Sequence, residues 1–249
     1  MLEIKGLGHT YPDGHRALTG IDLGVEEGEL VSLVGPSGCG KSTLLRCAAG
    51  LQAPTEGAVI IEGRTVDRVP DGLAVVFQDY TRSLFPWLSI RDNVALPLRR
   101  RGLARTERRA AADEALSAVG LAQAARKYPW QLSGGMQQRA AIARALAYRP
   151  RLLLMDEPFG SVDAQTREDL EDLLLSVRGD HGMTILLVTH DIDESVYVGD
   201  RVVVLTGAPG TVHTDLRVEL PAPRDQIATR EHPAFVALRA EVGRAVRRT

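Results

Sequence analysis

The chain has 249 residues and a formal net charge of −2, with 44% hydrophobic and 25% charged residues. These values are ordinary for one large globular domain, or for a core domain with an inserted subdomain, and they exclude a disulfide-stapled miniprotein, a disordered chain and a fibrous repeat. The near-zero charge also argues against a dedicated nucleic-acid binder, so no nucleic-acid partner is predicted.

The sequence predicts no membrane-spanning helix. Its strongly apolar runs, such as Leu152–Met155, are far shorter than the roughly 20 residues that a span needs. The first residues contain no apolar signal region, so we expect the protein in the cytosol. Cys39 and Cys47 lack the spacing of a metal site and are expected to be free thiols in a reducing compartment.

Short apolar runs without polar alternation predict buried strands of an α/β fold with a largely parallel central sheet. Helical patterns lie between several of these runs. The first 30 or so residues and the run Ala58–Ile61 contain more Gly turns, and both also fit an antiparallel edge layer. The six predicted strands are Leu30–Val34, Ala58–Ile61, Leu73–Phe77, Leu152–Met155, Ile185–Val188 and Val202–Leu205.

The stretch from about Leu88 to Lys127 has no strong strand run and predicts a helical insertion. Thr106 is a candidate N-cap of a helix that runs to about Val119, and Gly120 is a natural stop signal. This insertion separates the strands that come before it from those that follow.

Two further helices are predicted, one from after Ser133 to about Tyr148 and one from Pro233 to Arg248. Together with the strands they suggest a single domain of several parts. We predict a core with its β layer at 1–87 and 150–220, a helical subdomain at 88–149, and a tail helix region at 221–249.

A phosphate-binding loop is the clearest motif, because residues 35–43 fit the pattern G-x-x-x-x-G-K-[ST] between a strand and a helical pattern. Glycines allow successive N–H groups to converge on an anion, and the helix that begins at about Lys41 adds its dipole. Lys41 supplies a point charge for the β- and γ-phosphates, and the Ser42 hydroxyl is a suitable Mg²⁺ ligand. A chance Gly-rich turn is the alternative, and Cys39 is expected to be a packing residue. The predicted nucleotide contacts are Gly35, Pro36, Ser37, Gly38, Cys39, Gly40, Lys41, Ser42 and Thr43.

Polar residues follow three of the other predicted strands. Asp156 and Glu157 end an apolar strand, where one acid can hold Mg²⁺ and the other can orient or deprotonate a water. Gln78 and His190 also stand at strand ends, where ligands bind in open α/β sheets. Taken alone, His190 is better interpreted as a surface histidine at a strand end, and Gln78 is a weak signal.

A second anion cradle is predicted at Leu132–Arg139, where Ser133 caps a helix and Gly134 and Gly135 permit close backbone approach. This segment resembles the LSGGQ-type signature of the ABC ATPases. The phosphate loop, Gln78, this signature, Asp156-Glu157 and His190 follow one another in the order typical of that family. The chain is therefore similar to the family over about residues 2–206. The resemblance implies the P-loop ABC ATPase fold, with ATP and Mg²⁺ as its cofactors.

The family resemblance assigns a role to each motif residue. Catalysis falls to Glu157 as the catalytic glutamate, His190 as the switch histidine and Gln78 in the Q-loop, while Ser42, Gln78 and Asp156 would hold Mg²⁺. Tyr11 stands where the family stacks an aromatic side chain on adenine, with a half-buried strand tyrosine as the alternative. Gly160-Ser161-Val162-Asp163 departs from the family's Gly-Ala-Leu-Asp but keeps the acid.

The resemblance also implies a head-to-tail homodimer in which ATP lies between two subunits. The phosphate loop of one subunit would face the signature of the other. Ser133, Gly134, Gly135 and Asp163 would therefore contact ATP across the dimer.

Residues 75–88, including Phe85-Pro86-Trp87, and the triplet Asp92-Asn93-Val94 resemble the nitrate/sulfonate/taurine importer branch. This implies an ATP-binding subunit that lies peripherally on the cytoplasmic face of the membrane. Its partners would be multi-span permease subunits, which dock in a groove near Gln78 and Phe85–Trp87, and a separate solute-binding protein. Trp87 packed between two subdomains is the alternative. A group of arginines is interpreted mainly as a solvated helix face, with contact to anionic lipid as the alternative. They are Arg99, Arg100, Arg101, Arg105, Arg108 and Arg109.

Other functions remain open at this stage. An exporter ATPase or a soluble non-transport ABC ATPase shares the nucleotide motifs. A GTPase is disfavoured because the chain has no Asn-Lys-x-Asp motif, and a binding module with a dead site is disfavoured because Lys41, Glu157 and His190 are all present. The solute stays open among a sulfonate, taurine, nitrate, bicarbonate and a vitamin precursor, because the permease and the binding protein would select it.

Overall fold

The computed structural model describes residues 1–78, 83–160 and 162–247. The strands are β1 (Leu2–Thr10), β2 (Arg16–Val25), β3 (Leu30–Val34), β4 (Glu56–Ile61), β5 (Arg64–Thr65), β6 (Leu73–Val76), β7 (Leu152–Asp156), β8 (Thr184–Val188), β9 (Arg201–Thr206) and β10 (Thr211–Arg217). The helices are α1 (Lys41–Ala48), α2 (Ile90–Ala95), α3 (Arg105–Ala118), α4 (Gly134–Ala147), α5 (Ala164–His181), α6 (Ile192–Val198), α7 (Ala228–Glu231) and α8 (Pro233–Arg247). Short 3₁₀ helices lie at Pro97–Arg101, Ala122–Ala124 and Pro129–Gln131.

A six-stranded sheet forms the centre of the fold, in the order β10-β9-β3-β8-β7-β6. The strands from β9 to β6 pair in parallel, and β10 joins the edge antiparallel. Three of the four inner strands, β3, β8 and β7, are buried at every position, because helices or the second sheet cover both faces. This confirms the predicted α/β class and the parallel central sheet.

A four-stranded antiparallel sheet, β2-β1-β4-β5, covers one side of the molecule. Residues of this sheet, of α1 and of one face of the central sheet share one apolar cluster. A second cluster lies on the opposite face, among α2 to α6 and α8. Helix α1, which follows the phosphate-binding motif, belongs to the first cluster and is held between the antiparallel sheet and the central sheet.

Most predicted strands coincide with observed ones to within two residues, and two details differ. The run Ala58–Ile61 lies in β4 and pairs antiparallel with β1, with Leu2 opposite Ile61, so the edge-layer interpretation is confirmed and the parallel one is wrong. The inclusion of Phe77 in a strand is also wrong, because β6 ends at Val76 and the Phe77 side chain is exposed.

Residues 88–149, the helical segment, contain α2, α3 and α4 and no strand. The prediction that Thr106 caps a helix is wrong, because α3 begins at Arg105 with Ala104 as its N-cap. The Glu107 carboxylate accepts a hydrogen bond from the Ala104 N–H at 2.7 Å, so the Glu107 half of a capping box is present without a capping hydroxyl. Gly120 follows this helix with φ 70°, as a stop residue requires.

The signature helix α4 starts and ends as predicted. The Ser133 hydroxyl accepts a hydrogen bond from the Met136 N–H at 3.4 Å, and Tyr148 is the C-cap. The tail helix runs from Pro233 to Arg247, and Arg248 lies outside the described residues. Both cysteines are buried free thiols, as expected. Within the described part of the chain, no helix is both long and apolar enough to cross a bilayer.

Two buried carboxylates lie where α5 and α6 meet. Glu171 on α5 is fully buried and pairs with Arg230 at 2.8 Å, while Glu194 on α6 is 3% exposed. Burial, with Glu171 and Asp191 as negative neighbours, raises the pKa of Glu194 to about 8, and Thr189 and Arg167 only partly oppose this. Burial also raises the pKa of Glu171. The native fold therefore favours a protonated Glu194 at neutral pH.

We expect the thermal stability of the protein to fall as the pH rises from about 5 to about 8. Above its ordinary pKa the unfolded chain releases the Glu194 proton, whereas the native chain holds it to about pH 8, so this stabilisation is lost over that range. Glu194→Gln should reduce the fall in melting temperature between pH 5.5 and 8, as measured by circular dichroism. The exposed Glu241→Gln is the control, and an equal pH dependence in both variants would contradict the assignment.

Candidate functional site

The phosphate-binding motif forms a loop between β3 and α1. Its Lys41 side chain is only 7% exposed, and its Nζ donates hydrogen bonds to the carbonyl oxygens of Gly35 at 2.7 Å and Pro36 at 3.0 Å. The cationic group is thereby held against the loop at the N-terminus of α1, where the helix dipole also favours an anion. The structure thus brings positive charge and a helix N-terminus together, as the motif predicts.

Glycine is required at Gly40 by both conformation and space. Its φ is 91°, and a Cβ there would lie 2.6 Å from Leu18 Cδ2 and 2.8 Å from the Ala17 carbonyl oxygen. Gly38 has a similar φ of 84° but open space around it. Between them, the Cys39 side chain is 1% exposed, and burial raises the pKa of its thiol, which fits the predicted packing role.

The two residues expected to hold Mg²⁺ from α1 and β7 are in direct contact. The Ser42 hydroxyl donates to Asp156 Oδ1 at 3.2 Å. Burial raises the pKa of Asp156, opposed first by the Ser42 hydrogen bond. A hydroxyl and a carboxylate are hard oxygen donors of the kind that Mg²⁺ binds alongside phosphate oxygens, so the residues fit this ion. The described residues contain no cluster of three or more His, Cys, Asp or Glu that could form an all-protein metal site.

Glu157 lies at the centre of the predicted catalytic group. Its Oε2 accepts a hydrogen bond from Gln78 Nε2 at 2.9 Å and lies 3.1 Å from His190 Nδ1. Its backbone has φ 44°, a left-handed conformation that is costly for a residue with a side chain. The Glu157 N–H donates to the Val188 carbonyl at 2.8 Å, which fixes the turn against β8. Gln78 thus contacts Glu157, the residue next to the expected Mg²⁺ ligand Asp156.

Tyr11 lies beside the loop through its contact with Thr43. The two hydroxyl oxygens are 2.9 Å apart, and the Tyr11 ring is nearly parallel to that of His15 at a centroid distance of 6.2 Å. The ring is partly buried. Tyr11 therefore lies at the end of the loop, and the contacts that it makes there are with protein groups.

The signature residues lie next to the acid predicted to act across the dimer. Ser133 and Gly134 are exposed, and a Cβ on Gly135 would lie 2.6 Å from Thr166 Cγ2. The Thr166 hydroxyl donates to the Asp163 carboxylate at 2.8 Å, and the backbone and side-chain hydrogen bonds from Thr166 lower the pKa of Asp163. Among the described residues, no hydrogen bond joins this group to residues 35–43.

The structure also identifies supporting residues that the sequence reasoning missed. Gln138 on α4 is fully buried and donates to the Pro158 carbonyl, so the signature helix is tied to the turn that follows Glu157. Arg167 on α5 donates to the carboxylate of Asp191, the residue after His190. Gln138 lies within the signature segment Leu132–Arg139, which is the sequence signal that points to it. Nothing local in the sequence marks Arg167.

Comparisons with known proteins agree on one family. The ABC transporter family model matches residues 18–160. The bicarbonate transport ATP-binding protein CmpC of Synechococcus elongatus is 49% identical over 91% of this chain and 34% of its own length. The nitrate import ATP-binding protein NrtD of the same species is 43% identical over 96% of this chain and 89% of its own length. The chain thus spans about a third of the first relatives it matches and most of others.

A solved structure gives the same result for the fold. The dimeric structure of MJ0796, a bacterial ABC transporter cassette, has a TM-score of 0.79 and 37% identity, covering 88% of this chain and 99% of that one. The same cassette in a dimeric post-hydrolysis state, bound to ADP and Pi, gives a TM-score of 0.78.

We expect Gly40→Ala to destabilise the fold by roughly 3 kcal/mol, because it combines backbone strain with a clash against Leu18. Gly38→Ala is the matched control: it carries similar strain without the clash, so about 1 kcal/mol is expected. Denaturant unfolding followed by circular dichroism measures both. Equal losses in the two variants would show that crowding at Gly40 is unimportant.

Proposed function

The chain belongs to the ABC transporter family, and on that premise we propose that it binds and hydrolyses ATP to energise a bacterial importer of a small solute. The observation that carries the proposal is the contact of Glu157 with both Gln78 and His190, beside the pair formed by Ser42 and Asp156. Side chains from four neighbouring chain segments converge there, which a surface cluster without function would not require.

In this proposal the loop amides and Lys41 bind the phosphates, and Tyr11 contacts the adenine. Mg²⁺ held by Ser42, Asp156 and Gln78 would supply charge stabilisation to the phosphate oxygens. Glu157 orients the attacking water and accepts a proton from it. Gln78 and His190 hold the Glu157 carboxylate in place. His190 is 63% exposed, so it is also accessible to the γ-phosphate.

The active unit would be a head-to-tail homodimer. Ser133, Gly134 and Asp163 are exposed on the same chain as the phosphate loop, yet they form a separate group with Gly135 and Thr166. Exposed backbone at a helix N-terminus is suited to bind the phosphates of a nucleotide held by a second copy. The dimeric state of the solved ABC cassette supports this arrangement.

The partner surface would centre on Phe85 and Trp87, whose rings are 5.3 Å apart. Trp87 is 70% exposed, which does not fit a side chain packed between two subdomains. Buried Asn93 holds the loop in shape by accepting from the Phe85 N–H at 2.7 Å and donating to three carbonyls, those of Phe85, Leu88 and Ser89. Preorganised exposed aromatic side chains are typical of docking sites. Residues 79–82, which follow Gln78, lie outside the described residues, as does Ser161 in the segment Gly160-Ser161-Val162-Asp163.

The helical segment has charge and further aromatic surface to support docking. Residues 88–149 contain twelve Arg and Lys residues against four acidic residues, although the whole chain has a charge of −2. A second aromatic pair, Tyr128 and Trp130, is stacked, and the segment before it is joined to α2 by the hydrogen bond from the Ile90 N–H to the Lys127 carbonyl. An amphipathic permease segment with acidic side chains would complement this surface. We also propose that residues 88–149 form a subdomain separate from the core at 1–87 and 150–220.

Nitrate and bicarbonate are the solutes best supported within the proposed set. Relatives named for the import of nitrate and the transport of bicarbonate cover over nine-tenths of this chain. A sulfonate or taurine importer and an exporter share the same ATPase site, as does a soluble ABC ATPase. The location proposed is peripheral, on the cytoplasmic face of the membrane, with a permease and a separate solute-binding protein as partners.

We expect Glu157→Gln to lower the rate of ATP hydrolysis by roughly a hundredfold or more while ATP binding is retained, since only the general base is lost. With Mg-ATP this variant should accumulate as a dimer in light scattering. Lys41→Ala is the comparison, and it should instead weaken ATP binding, because the charge on the phosphates is removed. Hydrolysis at the wild-type rate by the Glu157→Gln variant would exclude the proposed role of Glu157.

We expect Trp87→Ala to weaken permease binding by roughly thirtyfold, about 2 kcal/mol, and to spare the ATPase activity of the isolated chain. The permease is first recovered with the tagged Glu157→Gln chain and Mg-ATP from detergent-solubilised membranes, identified by mass spectrometry and purified for the binding assay. Ile227→Ala, an exposed apolar residue outside the helical segment, is the control. Recovery of soluble partners alone would favour a non-transport ABC ATPase.

A further inference from the structure

Arg167 connects the start of α5 to the loop that carries His190. It lies one helical turn after the N-cap Asp163, and its backbone N–H donates to the Asp163 carbonyl at 2.9 Å. Its guanidinium Nη1 donates to Asp191 Oδ2 at 3.0 Å. A single side chain thus spans the distance between the segment proposed to cross the dimer and the segment proposed to contact the γ-phosphate.

Asp191 transmits that contact to His190 through the backbone. Its other carboxylate oxygen accepts from the Glu194 N–H at 3.1 Å and caps α6, and its own N–H donates to the Thr189 hydroxyl at 3.0 Å. His190 lies between these anchored residues. Since 63% of its side chain is exposed, packing does little to fix the ring, and the backbone on either side sets its direction toward Glu157.

The charges around this contact make Arg167 hard to replace. Asp191 and the buried Glu171 and Glu194 are three carboxylates that interact electrostatically with one another. Arg167 and Arg230 are the cations that the structure places against them. The Arg167 Nε is buried without a hydrogen-bond partner among the described residues, so the guanidinium depends on Asp191 for its orientation. Glu194 is protonated at neutral pH and Glu171 is paired with Arg230. Loss of Arg167 would therefore leave the Asp191 carboxylate without its cationic partner on α5.

We propose that Arg167 is a positioning residue that couples the Asp163 segment to His190 of the same chain. The inference rests on the proposed ATPase function and deepens it. When a second subunit displaces the Asp163 segment, the rigid first turn of α5 carries Arg167 with it. The Arg167–Asp191 contact then sets the position of His190 against Glu157, so assembly of the dimer adjusts the geometry for hydrolysis.

The test compares kcat and KM for ATP in the purified 249-residue chain. We expect Arg167→Gln to lower kcat roughly tenfold to a hundredfold with KM changed less than about threefold, since misplacement affects the reaction and not the binding of phosphates. Arg167→Lys, which keeps the charge, should recover part of kcat. Asp191→Asn should reproduce the loss, and the double variant Arg167→Gln/Asp191→Asn should be no slower than the slower single variant.

Arg178→Gln is the matched control on the same helix. Arg178 also pairs with an aspartate, Asp200, and donates to the Gly28 carbonyl at 2.8 Å, but it lies at the other end of α5. The Arg178→Gln variant should have an unchanged kcat, even if its melting temperature is lower than that of the wild type. An unchanged kcat in both Arg167→Gln and Asp191→Asn would overturn the proposal, as would an equal loss in Arg178→Gln or multiplicative losses in the double variant. Wild-type chain that is no faster than Glu157→Gln would instead contradict the proposed function, and this inference with it.

Discussion

The parallel pairing of β3, β8, β7 and β6 is the constraint on which the rest of the site depends. Parallel neighbours end at one edge of the sheet, so the residues that follow these strands meet without any long-range loop. The phosphate loop follows β3, His190 follows β8, Glu157 follows β7 and Gln78 follows β6. Burial of the inner strands on both faces fixes their register, because any slip would exchange the side chains of two apolar clusters. The geometry of the candidate site is therefore a consequence of core packing.

The signature helix connects this edge to the helical segment by a different kind of interaction. The contact of α4 with the core includes one buried amide, Gln138, on the Pro158 carbonyl, and one glycine, Gly135, against Thr166. Neither position tolerates added volume or a lost polar partner at low cost. A displacement of the helical segment would therefore act both on Pro158, next to Glu157, and on Thr166, which hydrogen-bonds Asp163. Such a connection suits a protein whose output is a conformational change.

The sequence is informative wherever one residue type has one physical use. The loop glycines and Lys41 can be identified from backbone requirements alone, and the buried strands from unbroken apolar runs, since both signals are local. The cap of α3 is mispredicted because the helix begins at Arg105 without a capping hydroxyl, and the Glu107 carboxylate holds the Ala104 N–H instead. Arg167 escapes notice because its partner, Asp191, lies 24 positions away and an arginine on a helix surface is common. Long-range pairs of this kind need the folded coordinates.

The two exposed aromatic pairs have an optical consequence. Trp87 and Trp130 are the only tryptophans of the chain, and they are 70% and 65% exposed. Their emission in the native state therefore resembles that of tryptophan in water, and unfolding moves its wavelength little. The wavelength of tryptophan emission therefore depends little on packing in the core and reports the polarity around Trp87 and Trp130 at the surface. Any macromolecule that covers that surface shifts the emission to the blue without an attached dye.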